Sequence, residues 1–342
     1  MLLSWNTTNQ CNLYCDHCYR DAGARAVDEL TTAEAGNLID EAARSGFRIM
    51  IFSGGEPLLR PDLLDLIARA AARGLRPVLG SNGTLLTPTL ARELKAAGAR
   101  AVGISLDSCD PGCHDQLRRQ EGAWQQAVAG MAACREAGLP FQLHTTVFDW
   151  NQDELEQLTD LAVELGAMAH HFFFLVPTGR AASIEAESLR AAEYEATLRR
   201  ILLKQQQVAI ELKPTCAPQF MRIAREMGIP VRYNRGCLAG IAYCIISPRG
   251  DVQPCAYLNL PVGNVREVPF SRLWQESPIF QRLRTENYSG ACGRCGYKKI
   301  CGGCRARAWY YHGDYMAAEP WCLYQSRQDN VTPGGHRAPP GA

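Results

Sequence analysis

Between residues 2 and 179 the sequence passes six times from a short apolar run of strand character to an amphipathic helical pattern, and no other feature limits the possible folds so tightly. The apolar runs cover 2–8, 47–53, 76–81, 101–105, 141–147 and 169–176. The helical pattern over 31–45 opens on Thr31 with Glu34 three residues on, a capping-box pairing. Pro61 and Pro88 stand near helix starts, and Gly46, Gly74, Gly98, Gly138 and Gly166 follow helix ends. Six strand–helix units in a row predict a parallel, barrel-like α/β sheet. In such folds chemistry gathers at the C-terminal ends of the strands.

Cysteines enter at the end of the first strand. Cys11, Cys15 and Cys18 stand at CxxxCxxC spacing. Iron–sulfur clusters are held by Cys thiolates at short recurring spacings, and four ligands close a four-iron cube. With only three, one iron is left able to bind something that reacts, as in open catalytic metal sites. A zinc knuckle or buried thiols are the plainer alternatives, although an odd ligand number in so short a loop suits a closed zinc site poorly. After the second strand comes Ser53-Gly54-Gly55-Glu56-Pro57. Its glycines would let backbone approach a ligand and its carboxylate could hold an ammonium, while Gly-Gly is equally an ordinary turn.

The cysteine count matters for the compartment. No basic segment followed by a long apolar one opens the sequence, and no run is long enough to span a bilayer, so the expectation is a cytoplasmic protein with no membrane partner. There, 15 cysteines read as metal ligands rather than disulfides. Lys plus Arg number 36 against 35 for Asp plus Glu, which gives no basic field for nucleic acid.

The trio after a first strand, with Gly54-Gly55-Glu56 one unit later, resembles the radical S-adenosylmethionine (SAM) superfamily. The resemblance implies a partial (βα)6 TIM-like barrel, a [4Fe-4S] cluster on Cys11, Cys15 and Cys18, and SAM on the open iron. Cleavage of SAM would then give a 5′-deoxyadenosyl radical that abstracts a substrate hydrogen. By the same resemblance Gly54, Gly55, Glu56, Asn82, Ser105 and Arg118 contact SAM, with His17 and Val176 near the adenine. Strand-end capping, surface charge or a solvated loop histidine are the alternatives at Asn82, Ser105, Arg118, Val176 and His17.

From Cys237 to Cys322 cysteines crowd, Gly and Pro rise and helical periodicity fades, the composition of a region that relies on bound metal more than on an apolar core. Cys237, Gly250-x4-Cys255, Cys292-x2-Cys295-x5-Cys301-x2-Cys304 and Cys322 resemble the SPASM extension of radical SAM enzymes. That resemblance implies two auxiliary [4Fe-4S] clusters, three clusters in all. It puts Cys237, Cys244, Cys255 and Cys304 on one and Cys292, Cys295, Cys301 and Cys322 on the other. The chain departs from the family pattern in one place, where Gly302 and Gly303 stand in a gap that usually holds three residues. Paired CxxC motifs also build zinc ribbons.

Two further candidates lie outside these motifs. Of His170-His171, at most one can face a barrel interior, and His171 is taken as a proton donor or an axial ligand to a tetrapyrrole iron. A hydrogen-bonded core histidine is the alternative. Cys216, in the Pro-flanked connector 213–219, is taken as an acid or iron ligand facing the substrate, against a structural thiol. Cys109, Cys113 and Cys134 read as packed thiols.

The stretches 4–8, 170–180, 213–219, 257–259 and 304–307 resemble the tetrapyrrole branch of SPASM enzymes, those of siroheme-dependent heme and heme d1 biosynthesis. The implied reaction is removal of two acetate arms from didecarboxysiroheme to give iron-coproporphyrin, with electrons from a low-potential donor such as a ferredoxin or flavodoxin. A flat polycarboxylate calls for an aromatic cavity edged by guanidinium groups, a part assigned to Phe172, Phe173, Phe174, Arg180, Arg305 and Arg307. Competing expectations are propionate decarboxylation or lactone formation on a tetrapyrrole, peptide maturation, and a non-catalytic electron-transfer or zinc module. The domain reading is a barrel over 1–210, a linker over 211–236, the cysteine-rich domain over 237–325 and a disordered tail over 326–342.

Overall fold

The computed structural model describes residues 1–324, so the expected tail lies outside the described residues. Among the described residues ten strands form one sheet: β1 Leu2–Asn6, β2 Ile49–Ser53, β3 Arg76–Ser81, β4 Ala101–Ser105, β5 Phe141–Val147, β6 Ala169–Phe174, β7 Glu211–Thr215, β8 Tyr243–Ile246, β9 Asp251–Gln253 and β10 Gly263–Asn264. Their order is β10-β9-β8-β1-β2-β3-β4-β5-β6-β7. From β1 to β7 every pairing is parallel, each strand being joined to the next by a crossover through helices.

The barrel helices are α1 Thr32–Arg44, α2 Leu63–Ala72, α3 Pro88–Ala97, α4 Pro111–Arg118, α5 Ala123–Ala137, α6 Leu155–Leu165 and α7 Ala191–Gln205. On α1 the expected capping box forms: the Glu34 amide donates to Thr31 Oγ1 and the Thr31 amide to the Glu34 carboxylate. Strand alternation decides what each face does. On β5, Phe141, Leu143 and Val147 are buried in a core shared with Leu155, Leu158 and Ala162 of α6, whereas Gln142, His144 and Thr146 point to the inner face.

Two boundaries differ from expectation. The stretch 211–236 is not a linker. It adds β7 beside β6 and then α8 Phe220–Glu226, and Pro214 is tolerated because β7 is an edge strand with no ladder partner on its outer side. Nor does the cysteine-rich region stand apart. Its β8 pairs in parallel with β1, Leu2 against Tyr243 and Leu3 against Cys244, so it continues the barrel sheet from the opposite edge. Four short helices follow: α9 Phe270–Glu276, α10 Pro278–Thr285, α11 Gly290–Arg294 and α12 Arg305–His312. No helix among the described residues is long and apolar enough to cross a membrane.

Candidate active site

The cysteine loop leaves β1 and is pinned from several distant segments. The Cys11 amide donates to the Gly23 carbonyl at 2.9 Å, and the Asn9 amide and Thr8 hydroxyl donate to the buried Glu29 carboxylate. Arg180 clamps the other end. Its Nε donates to the Cys15 carbonyl, its amide to the Cys18 carbonyl and its Nη1 to Asp21 and Ala22, with the guanidinium 3.9 Å over the Tyr14 ring. Arg180 is thus occupied in holding the loop, and the expectation that it edges a substrate cavity is corrected. Burial pushes the Cys11 thiol up to about 11 and raises that of Cys15, against which the Arg118 charge acts. Cys15 is buried and Cys11 and Cys18 half-buried, and the three lie within electrostatic reach of one another, which suits a cationic cluster that would take them as thiolates.

Around this loop the structure gathers most of the candidates from the sequence. Gly54 and Gly55 lie tight against the loop backbone. A Cβ at Gly54 would meet the Thr8 carbonyl at 2.6 Å, and one at Gly55 the Gln10 carbonyl at 2.2 Å. The Gly55 and Glu56 amides donate to those same two carbonyls. Glu56 is fully buried at the ends of β2 and β3, accepting from the Leu58 and Asn82 amides and from the Ser81 hydroxyl. Burial nevertheless pushes its carboxyl up to about 7, so it is a site where an ammonium would be welcome. Asn82 bonds Asn12 within the loop and approaches Cys11 Sγ at 4.0 Å. Arg118, at the end of α4, reaches Cys15 Sγ at 3.8 Å while its Nε and Nη2 donate to Asp107 at 2.8 and 2.5 Å. Asp107 escaped the sequence reading; its place just past a strand end, eleven residues before Arg118, was the available signal.

His17 is not a solvated histidine. It packs edge-on against Phe148 at 5.7 Å, and burial pushes its pKa down to about 3. Ser105 ends β4 half-buried on the inner face, whereas Val176 lies beyond β6 in a cluster with the C-terminal cysteines. The tyrosine following Cys18 links the two regions: Tyr19 bonds Asn6 and its ring lies 5.2 Å from that of Tyr257, which neighbours Cys255 and Cys216.

The His170-His171 pair divides as strand geometry demands. His170 is a core histidine bonded by Thr159 and Thr145. His171 faces inward, stacked on His144 at 5.2 Å, with the Lys213 charge nearby and Glu211 3.9 Å away. A Cβ at Gly103 would meet the His144 ring at 2.1 Å, so the glycine makes room for it. His144 and Lys213 were missed; both become visible once β5, β6 and β7 are aligned, because they are the cross-strand partners of His171. Of the three phenylalanines, Phe172 and Phe174 are buried towards the helices, and only Phe173 shares the His144 face. Arg305 and Arg307 are likewise not cavity-edge groups. Both are fully buried, Arg305 bonded to the Gly303, Tyr315 and Ala317 carbonyls and Arg307 to Glu319, Tyr194 and the Cys216 carbonyl.

In the C-terminal region Cys292, Cys295, Cys301 and Cys322 line one cavity, closed in part by Arg222, Tyr288 and Glu319. A second set is not the expected one. Cys237, Cys255 and Cys304 lie together, but Cys244 does not join them. It is wholly buried in the main barrel core, where Arg284 is the charge it senses. The reason is the period of two along β8. Tyr243 points inward, towards Ser4, Tyr19 and Cys255, so Cys244 points to the opposite face. Cys216 instead packs, like Cys255, against the cluster holding Cys292 and Cys304. Among the described residues no three His, Cys, Asp or Glu side chains are close enough to hold a single metal ion.

With this geometry the comparisons agree. Residues 5–162 match the radical SAM superfamily and residues 237–296 the SPASM iron–sulfur cluster-binding domain. The AdoMet-dependent heme synthase of Methanosarcina barkeri (strain Fusaro) is 43% identical over 339 residues, covering 95% of this chain and 96% of that one. The Fe-coproporphyrin III synthase of the same organism is 30% identical, over 93% and 86% of the two chains. Among solved structures, SuiB of Streptococcus suis bound to S-adenosylmethionine superposes with a TM-score of 0.75 at 16% identity, over 94% of this chain and 77% of that one, a likeness of fold.

Proposed function

The chain belongs to the radical SAM superfamily as a SPASM-containing enzyme of heme biosynthesis, and from that premise we propose that it performs the heme-forming step, turning two propionate arms of an iron-coproporphyrin into vinyl groups. What carries the choice is the 43% identity to a heme synthase along nearly the whole chain, against 30% to an Fe-coproporphyrin III synthase. Acetate removal from didecarboxysiroheme, the reaction expected from the sequence, is the second reading and is favoured by the latter similarity. Each propionate converted loses carbon dioxide, one hydrogen atom and one electron, which balances R–CH2–CH2–COO⁻ against R–CH=CH2; the SAM-derived radical would take the hydrogen atom, and an iron–sulfur cluster on the C-terminal cysteines would accept the electron.

Cys11, Cys15 and Cys18 would hold a [4Fe-4S] cluster with SAM, whose reductive cleavage supplies a radical able to take that hydrogen atom. Two more clusters would occupy the C-terminal cysteines, and a low-potential cytoplasmic donor such as a ferredoxin or flavodoxin would reduce the first. The chain's own groups do the rest. Glu56 and Asn82 receive the polar end of SAM, and Arg118, fixed by Asp107, keeps positive charge at Cys15. For a polycarboxylate substrate the inner face of β5 to β7 offers Lys213 with His144 and His171, held at one level of the barrel by strand register. Burial keeps both histidines neutral at pH 7, which leaves His171 a donor for hydrogen bonding; burial also lowers the Lys213 pKa, against which the Glu211 charge acts, and a carboxylate ligand would favour its charged form.

The test is anaerobic turnover of reconstituted protein with SAM, a reductant and each tetrapyrrole in turn, read by mass spectrometry. Iron-coproporphyrin should lose one formic-acid equivalent per propionate. Unchanged iron-coproporphyrin, with didecarboxysiroheme losing its acetate arms, would establish the second reading instead. Cys15→Ala should abolish formation of 5′-deoxyadenosine while C-terminal iron remains.

A further inference from the structure

We infer that Cys216, not Cys244, completes the first auxiliary ligand set, so that Cys216, Cys237, Cys255 and Cys304 hold one cluster and Cys244 holds none. The inference rests on the reading that this region binds two clusters, and four independent observations of the fold lead to it.

The first is the face of the sheet. Cys244 pairs with Leu3 in the middle of β1, is wholly buried and shares the main core with Trp274 and Phe280. Turning its thiol towards Cys255 would need a one-residue slip of β8, which would send Tyr243 and Ile245 to the wrong faces as well. The second is the packing of Cys216, which lies against the apolar cluster that contains Cys292, Cys304 and Leu258, as Cys255 and Tyr257 also do.

The third is the backbone that carries it. Cys216 has φ of +59°, a left-handed conformation costly for a residue with a Cβ, and the structure holds it there. Arg307 Nη2 donates to the Cys216 carbonyl at 2.9 Å, and Arg307 Nε donates to Glu319 at 2.8 Å. Glu319 accepts the Cys304 amide at 2.6 Å and donates its own amide to Cys292 Sγ at 3.3 Å. One buried ion pair therefore sets the Cys216 turn and the Cys304 backbone together. The fourth is contact between the two segments. A Cβ on Gly236 would lie 2.7 Å from Pro218 Cα, so the residue before Cys237 runs against the residue but one after Cys216. The mutual influence of the thiols agrees: beyond burial, Cys304, Cys255 and Cys237 are the groups that most raise Cys216.

The experiment uses the full chain with Cys11, Cys15 and Cys18 replaced by Ala, so that bound iron reports the auxiliary sites alone. Iron, acid-labile sulfide and the EPR of the reduced protein are measured after anaerobic reconstitution. Adding Cys216→Ala should remove about half of the iron, or convert one cluster to a three-iron form with its own EPR signal. Cys216→Ser, which keeps an oxygen ligand, should retain the iron with a shifted spectrum, separating ligation from misfolding. Cys244→Val should match the parent in iron and EPR. Full iron and an unchanged spectrum in Cys216→Ala would overturn the assignment, as would iron loss in Cys244→Val. A parent that binds no iron would overturn the cluster reading itself, and the assignment with it.

Discussion

The two ends of the sheet solve the problem of presenting cysteines in opposite ways. At the barrel end, a ready-made apolar core of helices against strands holds β1 to β6, and the cysteine loop is an appendage pinned by Glu29, Arg180 and Arg118. In the C-terminal region the cysteines are the core: Cys292 and Cys304 sit inside the apolar cluster, with Cys216 and Cys255 against it. Its secondary structure is short, β10 being two residues and α11 five. A loop on a scaffold can keep one ligand position open without unfolding, whereas a region whose interior is sulfur depends on what the sulfur binds.

The contrast is most directly broken by iron removal. Chelation under reducing conditions should release the amides of α11 and α12 to hydrogen exchange while those of β2 to β5 stay protected. Equal loss of protection in both would show that the regions share one stability. A smaller but large effect is expected from the buried pair that serves the C-terminal side. Arg307→Met removes one member of a fully buried ion pair, together with the donor to the Cys216 carbonyl, and should cost about 3–5 kcal/mol, seen as a lowered melting temperature with loss of C-terminal iron. The same change at the exposed Arg92, paired with Glu136, should be close to neutral.

Acid should act on the barrel core. His170 is wholly buried with its pKa pushed down to about 3 by burial, then by His144. The unfolded chain binds this proton near pH 6.5 and the folded one does not, so stability present above 6.5 is lost as pH falls towards 3. The slope is about 1.4 kcal/mol per pH unit for one such group. His170→Asn, compared with the parent at equal iron loading, should show a shallower fall in melting temperature between pH 6.5 and 4. The hydroxyls of Thr145 and Thr159, which bond the His170 ring, and the charges of His144 and His171, felt from the opposite face, remain in both proteins. Smallest is the capping box of α1: Thr31→Ala should cost about 1 kcal/mol of global stability with C-terminal iron unchanged.

Much of this was legible in the residues. The six strand–helix units appear where the apolar runs predict them, three of the strands shortened by two residues, and the α1 cap is the one read from Thr31 and Glu34. The cysteine loop, Glu56, Asn82 and Arg118 meet at the strand ends as expected. What was not legible involved direction. Arg180, Arg305 and Arg307 have the right chemistry for a carboxylate-rich ligand, yet each is consumed by backbone carbonyls or a buried carboxylate, because unpaired acceptors in a tight fold compete for guanidinium donors. The stretch 211–236 looked like a connector because Pro214 and Pro218 break pattern, and an edge strand is where such a break is harmless.

By itself, then, the sequence determined which residues could do cluster and SAM chemistry and in which order the strands run, since ligand spacing and strand–helix period are local properties of the chain. Which face each residue meets was decided by the tertiary structure. Cys244 stands seven residues after Cys237 and looks like its partner, while Cys216 lies twenty-one residues before it, just past the end of β7. The register of β8 on β1 turns the nearer thiol into the hydrophobic core, and the Arg307–Glu319 pair brings the distant one in. Proximity along the chain counts for little once a strand alternates its faces every residue.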